Sequence, residues 1–197
     1  MKTRACIFLI TVIFVLSLVG SYTYAADTRF IPFEVGKTFT YVVEDNAMNT
    51  WNMVIKASGM TIIPPFKIYY EHDERGYEEP GEVDMFSVRS TSTQVYVYDG
   101  FGKEHLVWQK APVGTKWTYK DRSGETEERS VEADNETVIV PAGTFEGCYK
   151  YLHKCISCNP PVERTREWVK PGFFMVQEID YDTENAPVGK KLKSWTE

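Results

Sequence analysis

The chain of 197 residues carries 22 basic and 28 acidic side chains, for a formal net charge of −6 at pH 7. This acidic excess argues against nucleic acid and anionic lipid headgroups as partners, whereas an apolar ligand, which binds through buried area, remains compatible with it. The length fits one domain, and the aromatic fraction of 14% is typical of a protein rich in β-strands.

The first residues have the pattern of a cleavable secretory leader. Lys2 and Arg4 precede an apolar run, and small residues follow at Ala25 and Ala26. We place the cleavage after Ala25, which assigns residues 1–25 to a signal peptide and leaves a mature chain with a net charge of −8.

The position of Cys6 bears on the compartment. It precedes the apolar run of the leader, so it cannot be the lipid-bearing cysteine of a lipoprotein signal. We therefore expect a periplasmic or secreted protein that is not a lipoprotein and that has no membrane span once the leader is removed.

After the leader the pattern is extended, and no amphipathic helix is predicted. Beyond the strand near residue 40, β-rich runs cover residues 51–56, 66–72, 83–89, 94–99, 106–108, 116–121, 129–134, 137–140, 147–154, 162–169, 174–181 and 192–196. Residues 95–98, Val-Tyr-Val-Tyr, are apolar or aromatic on both faces, which predicts a central strand. The fold class is therefore all-β and mainly antiparallel, as a large curled sheet or half-open barrel.

Two stretches resemble each other. V-G-K-T-F-T-Y at residues 35–41 and V-G-T-K-W-T-Y at residues 113–119, aligned on their Val-Gly pairs, both place two aromatic residues on one strand face after a glycine turn. This indicates a single β domain, 26–197, with an internal repeat of 30–110 and 111–197, or two duplicated β lobes. Chance recurrence of a turn and an alternating strand is the alternative.

Three cysteines remain in the mature chain, Cys148, Cys155 and Cys158. In an oxidising compartment an odd number predicts one disulfide, either 155 to 158 or one of them to Cys148, and one leftover thiol. A zinc site that adds His153 is the alternative, although His153 lies on the strand face opposite Cys148. A redox pair is disfavoured because no helix N-terminus follows the C-x-x-C motif.

No catalytic constellation is visible. His72, His105 and His153 are isolated, and the acidic runs at 71–74 and 125–128 lack the spaced ligands of a calcium loop. We therefore predict no catalytic residues, no metal, no cofactor and no enzyme, with a hydrolase or thiol-redox protein as the minor alternative.

Three stretches of the second half carry a family resemblance: L-V-W-Q-K-A-P-V-G-T-K-W-T-Y from residue 106, V-I-V-P-A-G-T-F-E-G-C-Y from residue 138, and W-V-K-P-G-F-F-M-V from residue 168. They resemble a loosely defined group of exported bacterial proteins of unknown function, marked by Gly-x-x-Trp-x-Tyr, Val-Pro-Ala-Gly-Thr-Phe and Trp-x-x-Pro-Gly motifs. Val169 departs from the pattern, where an aromatic is more usual, as does Phe173-Phe174, where Val-Gly is. The resemblance implies a curved sheet similar to that of the periplasmic lipoprotein carriers and implies no activity.

The aromatic residues suggest a binding role. We take Trp51, Trp108, Trp117 and Trp168 as candidates to line a concave face that binds an apolar ligand such as a lipid or lipoprotein anchor. The opposing interpretation is that they only fill the core. The alternative function is a protein-interaction or assembly module that offers an edge strand, near Leu192–Thr196 or at the other end of the sheet, to an envelope protein.

Overall fold

The computed structural model describes residues 27–44, 50–63, 67–75, 83–98, 102–121, 123–181 and 188–196, and within these ranges only the backbone of residues 51, 62–63, 67–75 and 83–85. The predicted leader and its Cys6 lie outside these residues. Within the described ranges, no helix is long and apolar enough to cross a membrane.

The described chain is built from β-strands, which confirms the all-β prediction. Two predicted strands, 129–134 and 137–140, form one continuous strand, β8. The strands are β1 Thr38–Glu44, β2 Thr50–Ile63, β3 Lys67–Arg75, β4 Val83–Ser90, β5 Gln94–Tyr98, β6 Glu104–Gln109, β7 Lys116–Lys120, β8 Thr126–Val140, β9 Gly143–Cys155, β10 Val162–Val169, β11 Met175–Asp180 and β12 Val188–Thr196.

All twelve strands belong to one antiparallel sheet, in the order β6-β5-β4-β3-β2-β1-β12-β11-β10-β9-β8-β7. Each half of the chain is a six-stranded meander, because the connections are short enough for hairpins only. The two meanders join where β1 pairs with β12, with Tyr41 opposite Leu192. The first and last strands in sequence are therefore neighbours at the centre of the sheet.

Two predicted strand positions differ from this order. β5 is second from one end of the sheet, and of its residues Val95 alone is fully buried, so its predicted central position is wrong. β12 was predicted as an edge but pairs with both β1 and β11. Only its C-terminal part, Lys193–Thr196, runs past β11 and pairs with β1 alone among the described strands. Apolar alternation reports which faces are buried and not which strands are neighbours, which is why these positions were missed.

The sheet is strongly curled. β6 and β7 lie at opposite ends of the strand order, yet the Trp117 indole N–H of β7 donates to the Leu106 carbonyl of β6 at 2.8 Å. The Tyr151 hydroxyl of β9 donates to the Gln109 carbonyl at 2.8 Å. Side chains thus connect the two ends, and no β6–β7 ladder closes the sheet in the described chain. This is the open, curled sheet that was predicted.

The two matching sequence stretches form the same turn. Gly36 has φ of 95° and Gly114 has φ of 88°, values that a residue with a Cβ rarely adopts. The Gly36 N–H donates to the Ala57 carbonyl at 2.8 Å, and the Gly114 N–H donates to the Val131 carbonyl at 2.8 Å. In both halves the turn is therefore held by the second strand of its own meander.

The strands that follow these turns also alternate alike. Phe39 and Tyr41 are buried on one face of β1, and Trp117 and Tyr119 are half-buried on one face of β7 while their neighbours are exposed. This confirms the predicted faces. The internal repeat and the single-domain assignment remain predictions, although a duplication would produce this arrangement.

The segment before β1 packs into the core. Phe30 is fully buried, its N–H donates to the Thr91 carbonyl at 2.6 Å, and its carbonyl accepts from the Gly172 N–H at 2.7 Å. Phe33 and Phe39 lie against Phe174, with ring centroids 5.9 and 4.6 Å apart. This segment therefore joins the first meander to the β10–β11 hairpin of the second.

The Val138–Cys148 stretch is a hairpin corner, with β8 ending at Val140 and β9 beginning at Gly143. Phe145 is half-buried and packs against Phe173 and Trp195, with ring centroids 5.2 and 6.1 Å away. The corner is therefore structural and lies beside the C-terminal part of β12.

Candidate functional site

A cavity of about 160 Å³ lies between the two meanders, inside the curve of the sheet. The first meander lines it with apolar side chains from β2, β4, β5 and β6: Met53, Ile55, Phe86, Val88, Val95, Val97, Val107 and Trp108. The second contributes Phe174 and Met175 together with four charged residues, Arg129, Glu167, Glu178 and Lys190. The cavity is thus mostly apolar, with its charges supplied by one side only.

A space of this size is costly in a protein interior, which is normally packed as densely as an organic crystal. At about 24 cal/mol per Å³, the 160 Å³ cavity lowers the free energy of unfolding by about 4 kcal/mol if nothing fills it. The whole net stability of a domain is only about 5–15 kcal/mol. A ligand that occupied the cavity would therefore recover a substantial fraction of the stability.

Arg129 of β8 and Glu167 of β10 form a buried ion pair on the cavity wall. Arg129 Nη1 lies 2.6 Å from Glu167 Oε2, and their side chains are 9% and 10% exposed. The same Oε2 accepts from the Trp108 indole N–H at 2.7 Å, and Nη1 also donates to the Val107 carbonyl at 3.3 Å. Burial acts to lower the pKa of Arg129, but Glu167 and Tyr119 outweigh it and raise that pKa, so the guanidinium stays charged.

Glu178 of β11 and Lys190 of β12 form the second buried pair. They are directly opposite each other in the β11–β12 ladder, and Lys190 Nζ lies 2.7 Å from Glu178 Oε1. Burial raises the pKa of Glu178, and the positive charge of Lys190 partly offsets this effect. Each cation on the cavity wall therefore already has its own carboxylate.

A second polar cluster lies beside Arg129 and outside the cavity lining. His153 Nε2 is 3.1 Å from the Tyr119 hydroxyl and 3.0 Å from Glu127 Oε2. Burial, followed by the positive charges of Arg129 and Arg164, lowers the pKa of His153 to about 2. The imidazole is therefore neutral at physiological pH.

Glu127 is 2% exposed, and burial raises its pKa against the opposing effect of Arg164. Its Oε1 accepts from Arg164 Nε at 3.0 Å, whereas its Oε2 has no hydrogen-bond partner among the described residues. His153 Nε2 lies 3.0 Å from this oxygen, so the two buried groups are in direct contact.

The three predicted tryptophans whose side chains are described, Trp108, Trp117 and Trp168, do not line one space. Trp108 lines the cavity, but Trp117 holds β6 through the Leu106 carbonyl. Trp168 donates to Glu136 Oε2 at 2.5 Å and lies under Lys150, on the strand face opposite Glu167. The Trp51 side chain lies outside those described. Trp117 and Trp168 do not line this cavity, and their role as ligand contacts stays a prediction.

The cysteines follow one of the predicted pairings. Cys155 and Cys158 form a disulfide, with Cα atoms 5.5 Å apart. Cys148 is a free, fully buried thiol, and burial raises its pKa to about 11. The four residues of the alternative zinc site are not brought together here, because Cys155 and Cys158 are bonded to each other and His153 Nε2 contacts Tyr119 and Glu127.

Carboxylates also gather near the disulfide. Oxygens of Asp121, Glu125 and Glu127 lie within 4.8 Å of one another. Arg164 bridges two of them, with Nη2 2.7 Å from Glu125 Oε2 and Nε 3.0 Å from Glu127 Oε1, and so places a positive charge beside this group. Of the remaining histidines, His105 packs on Tyr119 at 4.8 Å, and the His72 side chain lies outside those described.

The four charged residues of the cavity wall were missed in the sequence. A detectable pattern exists, because each lies two positions from a buried apolar residue on the same strand face, where a solvent-facing charge would break the alternation. The pairs are Arg129 with Val131, Glu167 with Val169, Glu178 with Val176, and Lys190 with Leu192.

No protein-family model and no curated protein matches the sequence. Two solved structures share the fold. A "putative lipoprotein" from Parabacteroides distasonis is 14% identical with a TM-score of 0.51, over 85% of this chain and 98% of that one. A "putative exported protein" with a YmcC-like fold from Bacteroides fragilis is 15% identical with a TM-score of 0.53, over 86% of this chain and 99% of that one. At such identities the likeness shows the fold alone.

Proposed function

We propose that the protein is an exported, non-enzymatic binding protein that holds a small apolar ligand in the cavity between its two meanders. The observation that carries this proposal is a mostly apolar cavity of about 160 Å³ between the two meanders. Its location in the cell envelope rests on the predicted leader and on the descriptions of the two structures that share its fold.

The volume of the cavity limits the size of the apolar ligand that the sequence suggests. A cavity of about 150 Å³ accommodates benzene, and sites for drug-sized ligands begin at about 300 Å³. The 160 Å³ available here fits one aromatic ring or a short acyl segment. A lipid or lipoprotein anchor would therefore insert only the end of a chain, with the remainder outside the cavity.

Ligand-dependent stability tests the proposal. A ligand that binds only the folded state at 100 times its dissociation constant raises the free energy of unfolding by about 2.7 kcal/mol. We expect toluene to raise the melting temperature of the purified protein in this way, and native mass spectrometry of protein from its own host to show a bound apolar species. A single unliganded mass together with no response to toluene would refute the proposal.

One observation favours a second function, recognition of an envelope protein by strand addition. Lys193–Thr196 runs past β11, so one side of this backbone has no ladder partner in the described chain. Trp195 is 39% exposed beside it and contacts Phe173 at 5.1 Å. An extended segment with an apolar side chain could pair with this backbone and cover Trp195.

A photo-crosslinking amino acid at Ser194 tests the second function. We expect an adduct with one envelope protein that disappears when Trp195→Ser is added. The same group at Thr144, which is also exposed, serves as the control position. No adduct at Ser194, or equal adducts at both positions, would exclude strand addition here.

A further inference from the structure

The charges around the cavity determine which apolar ligands it can accept. Two cations and two carboxylates line it, and their side chains are all 11% exposed or less. At these positions water screens the charges poorly, so their balance acts directly on an entering group.

Each cation is already paired with one carboxylate, although Arg129 Nε has no hydrogen-bond partner among the described residues. Arg129 lies 2.6 Å from Glu167 and Lys190 lies 2.7 Å from Glu178. Glu167 is further held by the Trp108 indole, which fixes its carboxylate toward Arg129. The pairing leaves the cavity wall with no net charge.

We propose that the cavity selects electrically neutral ligands and rejects both anionic and cationic ligands of the same size. The inference rests on the proposed binding function and names the ligand class of that site. A site that binds the carboxylate of a fatty acid would differ from this one, because it would contain a cation that is not already paired with a carboxylate of the protein.

The physical reason is the free energy needed to bury one more charge beside an ion pair that is already neutral. A carboxylate entering the cavity would meet Glu167 and Glu178, and an ammonium would meet Arg129 and Lys190. In either case the ion loses its water and finds no free counter-ion, which costs several kcal/mol. A neutral ring loses little on leaving water and gains from burying its apolar area. We therefore expect ionised ligands to bind at least ~100-fold more weakly than neutral ones.

Four one-ring probes of similar size make the test: toluene, benzyl alcohol, benzoate and benzylammonium, titrated into the purified protein at pH 7 by calorimetry. We expect toluene and benzyl alcohol to bind, and benzoate and benzylammonium to bind at least ~100-fold more weakly. Benzoate or benzylammonium binding as tightly as benzyl alcohol would overturn the inference while leaving the proposed function intact. Failure of all four probes, toluene included, would overturn both.

Two variants test whether the charged residues that line the cavity cause the selectivity for neutral ligands. Glu178→Gln leaves Lys190 without its carboxylate, and we expect the preference to shift toward benzoate by at least ~10-fold. Glu132→Gln is the matched control, because Glu132 pairs with Arg166 and does not line the cavity, and its selectivity should equal that of the unaltered protein. If Glu178→Gln does not fold, the double variant with Lys190→Met as well removes both charges of the pair together. This double variant should still bind toluene and reject benzoate. Unchanged selectivity in Glu178→Gln, or benzoate binding by the double variant, would contradict the inference.

Discussion

Filling the cavity should stabilise the protein, whereas the same substitution elsewhere in the core should destabilise it. Val88 of β4 and Val95 of β5 are 3% and 0% exposed and both line the cavity. Val→Ile keeps the β-branched side chain that suits a strand and adds one methylene to each position.

The magnitude follows from the volume. Each buried methylene contributes about 0.8 kcal/mol, so Val88→Ile with Val95→Ile should raise the free energy of unfolding by about 1.5 kcal/mol. This stays within the ~4 kcal/mol by which an empty cavity of 160 Å³ would lower the free energy of unfolding. For a chain of this size the gain corresponds to an increase in melting temperature of about 3–6 °C.

Urea unfolding followed by tryptophan fluorescence measures the effect, provided that the denaturant slope is unchanged. Val43→Ile and Val131→Ile are matched controls, since these valines are 0% and 2% exposed but do not line the cavity. Overpacking a filled core costs about 1–3 kcal/mol, so each control should lose stability.

The sign of the change in the free energy of unfolding therefore shows whether the cavity is empty or filled. If the Val88 and Val95 variants lose as much stability as the controls, the space between the meanders is already filled and the binding proposal fails. If they gain stability but bind toluene as tightly as the unaltered protein, toluene binds elsewhere.

Three further outcomes follow from the buried groups. Glu167→Ala should cost about 3–5 kcal/mol because Arg129 is left buried and unpaired, and urea unfolding that shows less than ~1 kcal/mol would contradict this. The pKa of His153 falls from 6.5 to about 2 on folding, so the unfolded chain takes up a proton first as the pH is lowered. The free energy of unfolding should therefore decrease below pH 6.5 by about 1.4 kcal/mol per pH unit, against the opposing effect of Glu127. In His153→Gln this decrease should disappear, and an equal dependence on pH in both proteins would refute the reasoning. Without its leader the protein should expose no thiol to Ellman's reagent when native, one (Cys148) when unfolded and three when the Cys155–Cys158 disulfide is also reduced, and a native thiol titrating at once would be inconsistent with the structure.

Local sequence patterns were sufficient to predict much of the secondary structure and the buried strand faces. The alternation of Phe39 with Tyr41 and of Trp117 with Tyr119 predicts one buried face in each strand, because side chains in a strand have a period of two. The odd cysteine count predicts a disulfide and a leftover thiol, and the Val-Gly pairs predict turns that require positive φ. These features depend on neighbours within a few residues, which is the range that sequence patterns report.

Strand order and the site depend on contacts between residues far apart in the chain. β12 pairs with β1, and Trp108 reaches Glu167, 59 positions away, only because the whole sheet curls. Whether an inward aromatic residue lines a space, as Trp108 does, or connects the two ends of the open sheet, as Trp117 does, depends on that curvature. The amino-acid sequence thus specifies the strands, their buried faces and the disulfide chemistry, since these follow from local geometry. The curled tertiary structure alone decides that two meanders enclose a cavity, and that four inward charges meet there as two neutral pairs.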